Sequence, residues 1–203
     1  MRTKINNKGM QVVDLGLSSR WASCNLGAGS QEENGDYFAW GETETKNNYE
    51  KDNYKLYADG ITSKYGVEGD CAHLDQNIKK ELELKDDAAH IILGGSWRMP
   101  NMNDIKELFE KCAWRWTRRK GVKGYLVTSK VEGFSGRSIF IPAAGYIDNT
   151  RKVNDGICGY YWSNAIYQSN SKHAISTVFD GHIMIRYLPD YCYLGLTIRP
   201  VCD

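Results

Sequence analysis

No stretch of this chain is apolar for long enough to cross a bilayer as a helix, so a helical membrane span is not expected. Charge of one sign is also missing. Twenty-six basic side chains meet twenty-five acidic ones, for a formal net charge of +1, and no broad field favours nucleic acid or an anionic membrane. The cysteines at 24, 71, 112, 158, 192 and 202 never form a Cys-x-x-Cys pair, which removes the usual spacing of zinc and thioredoxin-like redox sites. Their even number permits disulfides in an oxidising compartment. Buried free thiols are the preferred reading, because 203 residues bury a core without staples. No fixed period repeats, so a solenoid or propeller is not expected. Neither a nucleophile elbow nor His-Glu-x-x-His occurs. The first ten residues are basic and lead into no apolar core, so they do not read as a signal peptide. Either the protein is made without one or an export segment has been removed.

Aromatic residues are plentiful, with thirteen Tyr and six Trp, types that suit strands and contact surfaces. Val12–Leu17 and Arg20–Ala22 read as an opening strand pair, and Asp36–Trp40 as a short buried strand. Residues 42–77 are rich in Lys, Asn, Asp and Tyr. They read as a long surface insertion whose tyrosines at 49, 54, 57 and 65 need something to pack on. A polar helix is expected from Asn77 to about Ile91. A clearer one follows Asn101 or Asn103, with Ile105, Leu108, Phe109 and Cys112 on one face and a Glu107–Lys111 pair on the other. Beyond Trp116 come strands at 124–128, 138–142, 160–167, 174–179, 182–187 and 196–201. Two helices followed by a run of short strands is an α+β order.

Several segments form an ordered set. Val13-Asp14-Leu15-Gly16-Leu17 and Asn34-Gly35-Asp36-Tyr37-Phe38-Ala39-Trp40-Gly41-Glu42 open it. Asp86-Asp87-Ala88-Ala89-His90 and Gly94-Gly95-Ser96-Trp97-Arg98-Met99-Pro100 stand in the middle. Ile141-Pro142-Ala143-Ala144-Gly145-Tyr146, Gly159-Tyr160-Tyr161-Trp162-Ser163 and Ile198-Arg199-Pro200-Val201-Cys202 complete it. Together they resemble the Fibrobacter succinogenes major paralogous domain, common in gut Bacteroidales, over nearly the whole chain. That family is similar to the C-type-lectin-like fold, which also underlies formylglycine-generating enzymes and the variable proteins of diversity-generating retroelements. The resemblance implies one C-type-lectin-like domain over 1–203, with paired N- and C-terminal strands and two helices flanking short, mostly antiparallel strands. It implies core roles for Trp97 and Trp162, structural roles for Arg98 and Arg199, and a variable ligand surface within 159–201.

Calcium-dependent sugar binding in such folds uses a Glu-Pro-Asn-like tripeptide. The four prolines follow Met99, Ile141, Leu188 and Arg199, and none fits. Asp36, Glu42, Asp86 and Asp87 could supply a metal site, but read better as solvated turn and helix-end carboxylates. His90 reads as a core or capping residue. A formylglycine-generating type of oxidase would draw on Cys192 and Cys202 and ranks last. No metal, cofactor or catalysis is expected.

The segment His182–Tyr193 has no amphipathic period, yet it is crowded with aromatic and aliphatic side chains, as binding surfaces are. Residues 185–194 are all of types that diversified Asn codons can produce, and a lineage-specific loop accounts for them about as well. The expected ligand face takes Asn164, Ile166, His173 and Ile175 from two strands. His182, Met184, Arg186 and Leu188 join from a third, with Asp190, Tyr191 and Tyr193 beyond. With Ile183 and Ile185 inward, His182, Met184 and Arg186 would point out. The expected partner is a protein or glycan on a bacterial surface, with no nucleic acid and no membrane insertion. A phage virion or a bacterial cell surface is the expected location. A structural subunit, with the aromatic stretch buried in an oligomer interface, is the alternative.

Overall fold

In the computed structural model, residues 10–58, 61–62, 64–66 and 79–203 are described. The architecture is α+β, mainly antiparallel β. A short hairpin opens it, β1 (Val12–Val13) and β2 (Arg20–Ala22). Two two-residue strands follow, β3 (Tyr57–Ala58) and β4 (Ile61–Thr62). Helix α1 (Ala88–Leu93), strand β5 (Trp97–Arg98) and helix α2 (Met102–Lys111) come next. The strands β6 (Cys112–Arg119), β7 (Val122–Ser129) and β8 (Ser138–Pro142) form an antiparallel meander. A small hairpin, β9 (Tyr146–Asp148) and β10 (Arg151–Val153), leads to β11 (Gly159–Ile166). The chain ends with β12 (His173–Phe179), β13 (Met184–Tyr191) and β14 (Val201–Cys202).

The last strand does meet the first hairpin. β14 lies between β2 and β5, Val201 facing Trp21 on one side and Arg98 on the other. Helix α2 forms where the sequence places it. Asn101 accepts from the Asp104 amide while the Asp104 carboxylate accepts from the Asn101 amide, so two otherwise unpaired donors are satisfied. Ile105 and Leu108 are buried, and Lys111 pairs with Glu107 at 2.6 Å. The helix ends one residue earlier than its apolar period suggests, because Cys112 already begins β6.

The expected helix from Asn77 to Ile91 is corrected. Its first residues lie outside the described set, as does Cys71. Residues 80–82 pair with β11 instead: Ile166 donates to the Lys80 carbonyl at 2.9 Å and Leu82 to the Asn164 carbonyl at 2.8 Å. Helix begins only at Ala88, where the Asp87 carboxylate caps the His90 amide at 3.1 Å.

Two apolar clusters make the core. One gathers Trp40, Tyr49, Tyr54, Tyr65, Met99, Trp162, Ile166, Ala174 and Leu196. Tyr49, Tyr54 and Tyr65 thus fasten the described part of the 42–77 segment, and the Tyr54 hydroxyl donates to the Trp40 carbonyl at 2.6 Å. The other cluster joins Leu15, Trp21, Leu108, Val127, Tyr161, Phe179 and Val201. The sheet β11-β12-β13 feeds both, because neighbouring residues on a strand point to opposite sides. Arg199 crosses the interior and is fully buried. It donates to Asn25 Oδ1 and to the carbonyls of Ala22, Ser23 and Phe140 at 2.8–3.2 Å. Arg98 pairs with Asp104 at 2.6 Å. Trp162 is core, whereas Trp97 is only half-buried.

Candidate functional site

β13 is an edge strand, bonded to β12 on one side. Its register with β12 holds at Phe179–Met184 and Val178–Ile185, slips, and resumes at Ser176–Leu188, Ile175–Pro189, Ala174–Asp190 and His173–Tyr191. Thr177 therefore stands opposite both Arg186 and Tyr187, a bulge that twists the strand and re-aims its side chains. The Thr177 hydroxyl donates to the Arg186 carbonyl at 3.0 Å and helps hold the bulge.

The inward and outward sides differ from the expected alternation. Met184 packs on the second apolar cluster, while Ile183 is 57 % exposed and Ile185 37 %. Tyr187 (39 %) and Tyr191 (46 %) are also exposed. Arg186 lies 5.0 Å over the Phe109 ring and 3.7 Å from Glu110, and the Tyr187 hydroxyl donates to the Met102 carbonyl at 3.3 Å. These contacts seat the strand on α2. His182 is exposed in the turn before it, where the Asp180 carboxylate accepts the His182 and Ile183 amides. Those two bonds hold the Asp180 carboxyl below its ordinary range.

At the far end, His173 lies 4.2 Å from Tyr191, which stacks on Tyr193 at 5.3 Å. Burial, and then Lys172, lower the His173 imidazole, so it favours the neutral form. Leu188 and Asp190 are half-buried, and Asp190 accepts from the Ser176 hydroxyl. Burial raises the Asp190 carboxyl. Asn164 is half-buried beside Glu81. Ile166 and Ile175 are 2 % and 8 % exposed and sit inside the fold. That corrects their expected place on the outer face: both lie on strands covered on two sides.

Sequence reasoning missed three side chains here. Phe109 was assigned to the dry side of α2, yet it is part-exposed under Arg186. Tyr146 and Tyr160 were named only within the ordered motifs. Their ring centroids lie 4.7 Å apart. Burial, and then Asp148, Tyr191 and Tyr146, raise the Tyr193 hydroxyl. Only the pairing of distant backbone segments brings Tyr146 and Tyr160 together.

Other chemistry is structural in its surroundings. Cys192 is fully buried, and burial pushes its thiol well up; Cys24, Cys112 and Cys202 are buried free thiols. Glu42 and Asp87 are buried rather than solvated. Glu42 accepts from the Lys55 amide and pairs with Lys46 at 3.0 Å, and Asp87 also accepts from the Met99 amide at 2.7 Å. His90 contacts the Trp97 carbonyl through Nδ1 at 3.2 Å. Among the described residues, no three His, Cys, Asp or Glu side chains gather as a metal site requires, and no helix is long and apolar enough to cross a membrane. A shallow cleft of about 480 Å³ lies near Glu32, Arg118 and Asp155, where Asp155 pairs with Lys152 and Glu32 with Arg119.

No protein-family model, curated protein or solved structure matches this chain.

Proposed function

We propose that the chain is a non-enzymatic binding module with a C-type-lectin-like fold, similar to the variable proteins of diversity-generating retroelements. β13 and the turns at its two ends make the contact surface. The partner is a protein or glycan on a bacterial surface. The observation that carries this reading is the group Ile183, Ile185, Tyr187 and Tyr191, exposed on β13 and in the turn just before it. Scattered apolar residues are ordinary on a surface; four large ones within nine consecutive residues mark a contact site. They are carried beside β12, which is buried from Ala174 to Phe179.

Binding of the purified chain to Bacteroidales cells tests the reading. Joint replacement of Arg186, Tyr187, Tyr191 and Tyr193 by alanine is expected to weaken it at least about tenfold, as for the loss of an aromatic hot spot. Undiminished binding by a folded variant removes this face from consideration.

A second reading has one observation in its favour: among the described residues β13 pairs on one edge alone, and a second copy could pair on the other. Light scattering separates the two. A stable oligomer that shields Tyr187 and Tyr191 supports the structural-subunit reading, and a monomer supports the binding module.

A further inference from the structure

Positive charge gathers on the β6–β7 hairpin. Residues 111–131 contain seven basic side chains and no acidic one, in a chain whose formal net charge is +1. The hairpin turns on Lys120 and Gly121, both at positive φ (45° and 87°), as a two-residue primed turn requires. Arg118 then stands directly opposite Lys123, and both are exposed. Like charges facing each other across two strands are destabilising. Among the described residues the hairpin's ion pairs are Arg119 with Glu32 at 3.3 Å and Lys120 with Glu32 at 3.5 Å, and neither Arg118 nor Lys123 takes part in one.

Both side chains line the shallow cleft of about 480 Å³. Bonds between remote segments build it. The Lys123 carbonyl accepts the Ala143 amide, and the Ala143 carbonyl accepts the Gly156 amide, each at 2.8 Å. Asn34 Nδ2 donates to the Asp155 carboxylate at 2.9 Å, which holds residues 32–34 against the β10–β11 connection. Two of the cleft's three acids are answered by cations. Glu32 is taken by Arg119 and Lys120, and Asp155 by Lys152 at 3.2 Å. Glu33 pairs with no cation; it is exposed and accepts from the Gly29 amide at 2.8 Å and the Ser30 hydroxyl at 3.2 Å. Three carboxylates thus stand among five cations, and Arg118 and Lys123 are the two cations in no ion pair.

The lining calls for two kinds of group at once. Arg118 and Lys123 call for an anion, and a guanidinium meets a carboxylate with paired donors. Glu33 and Asp155 keep lone pairs for hydroxyl donors. An acetate ion satisfies the cations and brings no hydroxyl to the carboxylates. An acidic peptide brings carboxylates with few hydroxyls. A neutral sugar does the reverse. A sugar that carries a carboxylate supplies both, and a volume of about 480 Å³ lies within the range of small-ligand sites.

We propose that this cleft is a second binding site for a sugar bearing a carboxylate, such as a uronic-acid residue of a polysaccharide. The sugar's carboxylate lies between Arg118 and Lys123, and its hydroxyls donate to Glu33 and Asp155. None of the residues that line the cleft belongs to β13, so this site stands or falls separately from the contact face.

Calorimetric or NMR titration of the full chain tests it, with methyl glucuronide, methyl glucoside, acetate and a short polyglutamate peptide as probes. The glucuronide is expected to bind saturably and to weaken with salt, and the glucoside and acetate to bind at least about tenfold more weakly. Arg118→Gln and Lys123→Gln are each expected to weaken the glucuronide about tenfold. Both positions are exposed, so the variants keep the fold. Arg115→Gln, exposed on β6 but outside the cleft, is expected to leave binding unchanged. Absence of saturable glucuronide binding by the unaltered chain overturns the proposal. So does acetate or peptide binding as tight as that of the glucuronide, which reduces the site to its charge. Glucuronide binding that survives joint replacement of Arg118 and Lys123 overturns it as well, as does an equal loss on Arg115→Gln, which spreads the attraction over the whole hairpin.

Discussion

Arg199 donates to four acceptors from two parts of the chain, residues 22–25 and Phe140, so its guanidinium ties the opening hairpin and β8 to the C-terminal segment. Methionine fills similar space but strands those acceptors, each a buried polar group without a donor. Arg199→Met is expected to cost about 3 kcal/mol or more in urea unfolding, and lysine is not expected to restore it, because it lacks the planar fork. Glu107 offers a pH test. Lys111 and then the Ser18 hydroxyl lower its carboxyl from 4.5 to about 2. A lowered value means that the ionised form favours the fold. Its contribution is full above 4.5 and is lost as the pH falls toward 2. Glu107→Gln is expected to cost about 1 kcal/mol at neutral pH after screening and nothing at the acid end. Melting curves of the two proteins should converge across that window. The Glu107–Lys111 pair is legible in the sequence, as neighbours on one helix turn. The Ser18 contact, 89 positions away, is not. The same limit hid the edge-to-face contact of Tyr146 with Tyr160, which follows the bridge between Gly145 and Gly159.

At the scale of elements, α2 was readable because its cap, its apolar face and its charge pair all agree. β13 was readable as a strand but not in its facing. A period of two assumes an unbroken ladder, and the bulge opposite Thr177 breaks it. The segment before α1 was misread because its polar residues suit a helix, while its backbone finds partners on β11. β11 itself depends on one close approach. A Cβ at Gly159 would lie 2.1 Å from the Phe179 ring, which stacks on Tyr161 at a centroid distance of 5.7 Å. Gly159→Ala is expected to lower stability by about 1–3 kcal/mol through that overlap. Chemical denaturation measures it; an unchanged midpoint would mean that the ring moves freely.

The whole molecule divides its labour. Two buried clusters on either side of β11-β12-β13 hold the frame, and the sheet's free edge carries the exposed aromatic and aliphatic strip. The α+β order and the pairing of the chain's ends followed from the run of elements and from the resemblance. Of the residues expected on an outer face, Ile166 and Ile175 lie inside the fold because both of their strands are covered. Hydroxyl-radical footprinting of the chain, free and bound to bacterial cells, measures the face directly. Oxidation of Tyr187 and Tyr191 is predicted to fall on binding, while the more exposed Leu84 and Ile157 react as before. Protection at Leu84 or Ile157, with Tyr187 and Tyr191 as reactive as in the free chain, would contradict the account.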